Sequence, residues 1–146
     1  GAQYSGFNLL LSDGNTLVYC SNRDGNPRPL APGIYGLSNH LLDSPWPKLV
    51  AAREEFAKAL PRLPDESAFF DLLADQAIVA DENLPSTGVP IEWERLLSAI
   101  FVKSESYGTR ASTLVWQAAD GNITVHENSF GSNGQPLQSS AISTSE

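Results

Sequence analysis

Two stretches of the chain carry closely spaced apolar residues and break at Asp-Gly-Asn. Phe7, Leu9 and Leu11 alternate with Asn8 and Leu10, and Asp13-Gly14-Asn15 separates them from Thr16-Leu17-Val18-Tyr19-Cys20. Thr113-Leu114-Val115-Trp116 leads to Asp120-Gly121-Asn122 and then to Ile123-Thr124-Val125-His126. An Asp-Gly pair tolerates the positive φ angles of a tight turn, so both stretches are predicted to be β-hairpins. Their consecutive apolar residues, such as Leu9-Leu10-Leu11 and Leu114-Val115-Trp116, point alternately to the two faces. Such runs suit strands covered on both sides.

Between the hairpins the apolar period changes to that of a helix. Ser44 is placed to cap a helix opened by Pro45, with Trp46, Leu49, Val50, Phe56, Ala57 and Leu60 on one face and Pro61 ending it. A second helix is expected over 65–75, burying Phe69, Leu72 and Leu73. Residues 81–90, rich in Pro, Ser, Gly and acid, read as a loop. Glu92–Ser98 reads as a short helix and Ala99–Lys103 as a short strand. The order predicts an α+β fold, one antiparallel sheet holding both hairpins with helices packed on one face. The globular part is expected to cover residues 1–130. Residues 131–146 are mostly Gly, Ser, Asn, Gln and Thr, and are expected to form a disordered polar tail.

Composition narrows the partners. The chain has 146 residues, 17 acidic against 9 basic side chains, and a formal charge of −8. That sign repels phosphate backbones and anionic lipid, so no nucleic-acid partner is expected. No apolar stretch reaches the roughly 18 residues of a membrane span. Cys20 is the sole cysteine, which excludes an internal disulfide and any cysteine-rich metal site and favours a reducing, cytoplasmic location. Cys20, His40 and His126 match no metal-ligand spacing, and neither a metal nor another cofactor is expected.

Four segments occur in an order that carries a resemblance. They are Tyr4-Ser5-Gly6-Phe7-Asn8-Leu9-Leu10, Pro32-Gly33-Ile34-Tyr35-Gly36-Leu37-Ser38-Asn39, Leu42-Asp43-Ser44-Pro45-Trp46-Pro47-Lys48 and Tyr107-Gly108-Thr109-Arg110-Ala111-Ser112-Thr113. Together, across roughly residues 4–130, they resemble the C-terminal part of the NRDE family, related to animal "transport and Golgi organisation" protein two. The resemblance implies the αββα sandwich of N-terminal nucleophile hydrolases, in which a cysteine and its own α-amine cleave a C–N amide bond. It also implies that this nucleophile belongs to a half preceding Gly1. The chain is therefore expected to be inactive alone and to associate with the missing half or with itself. The alternative is a non-catalytic protein of haem or lipid handling that uses the same pocket for an unknown small molecule.

Two residues stand out as catalytic support. Asn39 closes the Tyr-Gly-Leu-Ser-Asn segment, read as a strand end, and resemblance to cysteine amidohydrolases makes it an oxyanion donor. The bland reading is a turn asparagine bonded to nearby backbone. Arg110 offers a planar fork suited to a carboxylate or to orienting a thiolate, against the plainer reading of an ion pair with Glu105. The two are expected to face one concavity. Tyr35 and Tyr107 read as pocket or packing aromatics, and Asp43 or Ser44 as helix caps. Asn22-Arg23-Asp24-Gly25 looks like the family's name-giving motif but follows the Gly-Phe-Asn strand, so it reads as a turn rather than a site.

Overall fold

The computed structural model describes residues 5–144, and the chain divides into two compact units, Gly1–Pro45 and Trp46–Glu146. Gly1, Tyr4 and positions 145 and 146 of the expected tail lie outside the described residues. The fold is α+β, with two antiparallel sheets of three strands each.

In the first unit β1 (Asn8–Ser12) and β2 (Leu17–Ser21) pair from Asn8↔Ser21 to Ser12↔Leu17, the predicted hairpin. The Asp13 carboxylate makes the turn by accepting the Asn15 and Thr16 amides at 2.9 and 2.8 Å, and Gly14 takes a φ of 91°. A third strand, β3 (Arg28–Leu30), adds to β2. Pro29 has no amide to donate, which suits it to the edge and helps keep β3 short.

The segment after β3 is not the strand that the sequence suggests. Residues 34–38 have no regular structure. Instead Gly36 and Asp43 close a loop on each other. The Gly36 amide donates to Asp43 Oδ1 at 2.8 Å, and the Asp43 amide donates to the Gly36 carbonyl at 2.8 Å. Asp43 has a φ of +58°, a left-handed conformation that aspartate adopts more readily than most residues. The sheet holds this loop through Tyr19, which is 1% exposed. Its hydroxyl donates to Asn8 Oδ1 at 2.8 Å and accepts the Leu42 amide at 3.3 Å. Asn8 Nδ2 donates to the His40 carbonyl at 2.8 Å.

These bonds also correct the helix start. Asp43 is occupied by Gly36, and Ser44 Oγ donates to the Leu41 carbonyl at 2.7 Å, so neither caps a helix. In the second unit, α1 (Pro47–Ala59) opens on Pro47 rather than Pro45, after Trp46, with no side-chain cap bond. Next come α2 (Ser67–Leu73) and α3 (Ile91–Ser98), close to the predicted positions. Lys48 Nζ donates to the Leu97 carbonyl at 2.6 Å, where the end of α3 leaves carbonyls without helical partners. Leu49, Ala59, Phe69, Ala99 and Phe101 are buried. Phe56 meets Phe69 edge-on at 5.2 Å, and Phe101 meets Phe130 at 4.8 Å.

The second hairpin is β4 (Ala111–Gln117) and β5 (Ile123–Phe130), and it gains β6 (Pro136–Ser143) as a further antiparallel strand. This corrects two expectations. The segment expected to be a disordered tail is a strand over Pro136–Ser143: its backbone completes the β5 ladder although every residue in it is exposed. The hairpins also belong to two sheets, not one, because each takes its third strand from the chain directly following it. Ala99–Lys103 is not a strand either. The Phe101 amide donates to the Asp75 carbonyl at 2.7 Å, and a lone bridge joins Lys103 to Gly108. The apolar run of β1 is not covered on both sides here: Leu9, Leu10 and Leu11 are all exposed.

One carboxylate ties α2 to the second sheet. Glu66 directly precedes α2, and its side chain turns away from the helix end. Its Oε1 accepts Trp116 Nε1 at 2.7 Å and its Oε2 bonds His126 Nδ1, so His126 is not simply facing solvent. The register puts Trp116 and His126 on the same face of β4 and β5.

Three outcomes follow from this framework. Glu66→Ala should cost about 2–3 kcal/mol in urea unfolding, since it orphans two partners of a carboxylate whose side chain is only 14% exposed; a loss under about 0.5 kcal/mol would deny Glu66 that role. Asp43→Ala should speed exchange of the Gly36 amide about tenfold, corresponding to one lost hydrogen bond and a strained φ. Asp43→Asn keeps an acceptor and should leave exchange near its original rate. Asp65 accepts the Ser67 amide at 3.0 Å and Arg62 Nη2 at 2.7 Å. The Ser67 bonds, then Arg62, hold its carboxyl at about 2 instead of 3.8. A depressed folded value means its stabilising contribution is complete above the unfolded value and fades as pH falls toward about 2. Carboxyl-carbon NMR titration should find that low midpoint, and an ordinary one would refute the arrangement.

Candidate functional site

The walls of a cleft in the first unit come from two places in the sequence. Gly6, Phe7 and Asn8 enter β1, with Ser21 and Arg23 beside them at the end of β2; Ser38–Leu41 form the tip of the Gly36–Asp43 loop. They enclose about 580 Å³, within the range of small-molecule sites. Among the described residues no carboxylate lines it.

Local bonding explains why the walls stand where they do. Ser21 is buried; its hydroxyl donates to the Phe7 carbonyl at 3.0 Å and accepts the Arg23 amide at 3.2 Å. Asn22 accepts the Phe7 amide at 2.9 Å and donates to the Ser5 carbonyl at 3.1 Å. Residues 22–25 are thus the turn that the sequence suggests. The turn nevertheless delivers Arg23 to the cleft, a role that the sequence reading set aside. A Cβ on Gly6 would lie 2.3 Å from Arg23 Nε and 2.8 Å from its Cζ, so the guanidinium rests where glycine leaves room. Neighbouring Asp24 is taken by Arg28 at 3.0 Å, and Arg28 also lies 5.2 Å from the Tyr19 ring centre. Among the described residues Arg23 has no carboxylate partner.

Asn39 lines the same cleft, exposed and with no side-chain hydrogen bond among the described residues, unlike the turn asparagine of the bland reading. His40 joins it. Its ring Nδ1 lies 2.7 Å from Ser44 Oγ while its carbonyl is held by Asn8. The sequence signal for His40 was its place after Asn39 at the end of the motif, and isolation from other metal-type ligands hid it. Cys20 is half-buried in β2 and does not line the cleft.

Arg110 belongs to the second unit and stands exposed immediately before β4. The residues before it are structural. A Cβ on Gly108 would come 2.8 Å from the Val102 carbonyl oxygen. Thr109 donates its amide to that carbonyl at 2.8 Å and accepts the Val102 amide at 2.9 Å through Oγ1. The Arg110 carbonyl accepts the Phe130 amide at 2.8 Å, and its guanidinium has no ion-pair partner among the described residues, Glu105 included. Tyr107 packs edge-on against Trp93 at 5.4 Å, and the Tyr35 hydroxyl donates to the Ala31 carbonyl at 2.8 Å. Neither tyrosine lines the cleft. Among the described residues no group of three or more His, Cys, Asp or Glu is placed to hold a metal, and no helix is long and apolar enough to cross a membrane.

The profile of the family described as Transport and Golgi organisation 2 matches residues 1–132. The chain is 38% identical over 147 residues to the Transport and Golgi organization protein 2 homolog of Bos taurus. It is 36% identical over 146 residues to the homolog of Homo sapiens. Each match covers 89% of this chain and 52% of the relative, so the chain spans about half the length of these curated relatives. The profile takes in both walls of the cleft and the segment around Arg110, and the chain belongs to the Transport and Golgi organisation 2 family.

Proposed function

We propose that the whole protein hydrolyses a C–N amide bond of a small polar molecule, with Asn39 and Arg110 as supporting groups. The observation that carries this reading is the open carboxamide of Asn39 in a cleft that, among the described residues, no carboxylate lines. Attack on an amide carbonyl moves negative charge onto its oxygen, and a fixed N–H donor lowers the energy of that state. Asn39 supplies such a donor on a loop closed at both ends by Gly36 and Asp43. Arg110, in the second unit, has the fork to orient the thiolate of the cysteine that the family resemblance implies as nucleophile. Phe7 and Leu41 are the large apolar side chains of the cleft. That polar balance favours a small hydrophilic ligand over haem or a lipid chain, so the alternative of holding without turnover applies to the same class of molecule.

The test is a panel of small acyl amides offered to the whole protein and to this 146-residue chain alone. The whole protein should turn over at least one of them, and this chain none. Asn39→Ala should lower kcat of the whole protein by about 10²–10³-fold with little change in KM, the pattern for a donor used in the transition state. Unchanged kcat would remove Asn39 from the reaction. Binding without turnover by the whole protein would leave the holding alternative.

A further inference from the structure

We infer that Arg23 is the anchor of the cleft's ligand, and that this ligand carries a carboxylate. The inference rests on the cleft being a ligand site and goes beyond the amide chemistry proposed for it. Three independent features converge on Arg23. Its guanidinium lies over Gly6, where a single methyl group would meet Nε at 2.3 Å. The nearest acid in sequence, Asp24, is paired with Arg28 at 3.0 Å. Among the described residues no carboxylate lines the roughly 580 Å³ around it, although the chain as a whole carries −8. The cleft is therefore a locally cationic place in an acidic protein.

The chemistry selects the ligand class. A guanidinium presents parallel N–H donors that match a carboxylate two-to-two, and an exposed fork with no carboxylate partner among the described residues loses little on exchanging water for that pairing. Among the described residues Arg23 is the one guanidinium in the lining, and it balances one negative charge, which suits a monoanionic carboxylate better than a phosphate dianion. Asn39 and Asn8 border the same space, so a ligand anchored at Arg23 can present an amide to the Asn39 carboxamide. An N-acyl amino acid has both groups.

N-acetylglycine is the minimal probe, and its neutral counterpart N-acetylglycinamide is the comparison, both titrated into the whole protein and followed by side-chain N–H NMR. N-acetylglycine should shift the Arg23 Nε–H and Asn39 Nδ2 signals saturably, and the neutral amide should bind at least about tenfold more weakly. Arg23→Ala should remove that difference, and Arg23→Lys should restore part of it. Gly6→Ala keeps the charge but displaces the fork, and it too should weaken binding. Lys58→Ala, which removes one positive charge in the second unit, should not. Equal binding of acid and amide, or full binding by Arg23→Ala, would overturn the assignment. So would saturation by inorganic phosphate with no response to N-acetylglycine, or no response to any probe. The readout is binding at equilibrium, so absence of turnover in the whole protein sinks the catalytic reading and leaves this one standing. Turnover that ignores Arg23 does the reverse.

Discussion

The first unit depends on the hydroxyl of Tyr19. A phenol 1% exposed cannot rely on water, and leaving its oxygen unsatisfied would cost on the order of 1–3 kcal/mol. It is satisfied twice: it donates across the hairpin to Asn8 and accepts from Leu42. Asn8 in turn spends its carboxamide on both sides, with oxygen toward Tyr19 and nitrogen toward the His40 carbonyl. A three-stranded sheet with few buried apolar side chains thereby gains a rigid grip on a loop that has no regular structure. The opposite wall of the cleft hangs from the same two strands through Ser21 and Asn22. Both walls of the cleft are thus tied to the same two strands.

The second unit solves a related problem with charged and polar side chains inside its loops. Glu94 is buried and accepts both the Thr87 amide and hydroxyl, at 2.7 and 2.6 Å. Ser98 Oγ accepts the Val79 amide at 3.0 Å and donates to the Arg95 carbonyl at 2.7 Å. Lys48 reaches the end of α3 at the cost of partial desolvation, which lowers its pKa. These bonds hold the long segment between α2 and α3 against its own helix. No buried side-chain nitrogen or oxygen among the described residues is left without a partner. Loops so pinned hold their course without a large apolar core beneath them.

What the sequence made legible was local. Asp-Gly turns and apolar alternation identified both hairpins, and helical spacing placed all three helices within a few residues, because those signals act over distances of two to seven positions. Three things escaped because they depend on partners elsewhere. Strand β6 has the composition of a loose tail, and nothing within Pro136–Ser143 records that β5 offers it an open ladder. Asp43 has the chemistry of a helix cap, and competition from the Gly36 amide decides its use. Arg23 sits in a run that reads correctly as a turn, yet a turn sets the direction of its side chains as well as that of the chain. The missing Cβ at Gly6, seventeen positions earlier, gives Arg23 its place. Asn39 was legible as a candidate because its motif ends there, but its open carboxamide became visible with the loop geometry.

Charge pairing gives the site its sharpest contrast. With 17 acids and 9 bases, a cation in this chain has carboxylates in excess. Several cations use one: Arg28 takes Asp24, Arg62 takes Asp65, and Arg95 grips Asp81 with two bonds at 2.8 and 2.5 Å. Exposed pairs of this kind contribute little to stability, commonly below about 1 kcal/mol. Their greater effect here is on specificity. By occupying Asp24, Arg28 takes up the acid next to Arg23 in sequence, and by lying over the Tyr19 ring it ties that pairing to the residue that positions the opposite wall. The cation in the cleft is kept open by the same bonds that build the cleft, so a substitution at Arg28 would alter both the charge and the shape that a ligand meets.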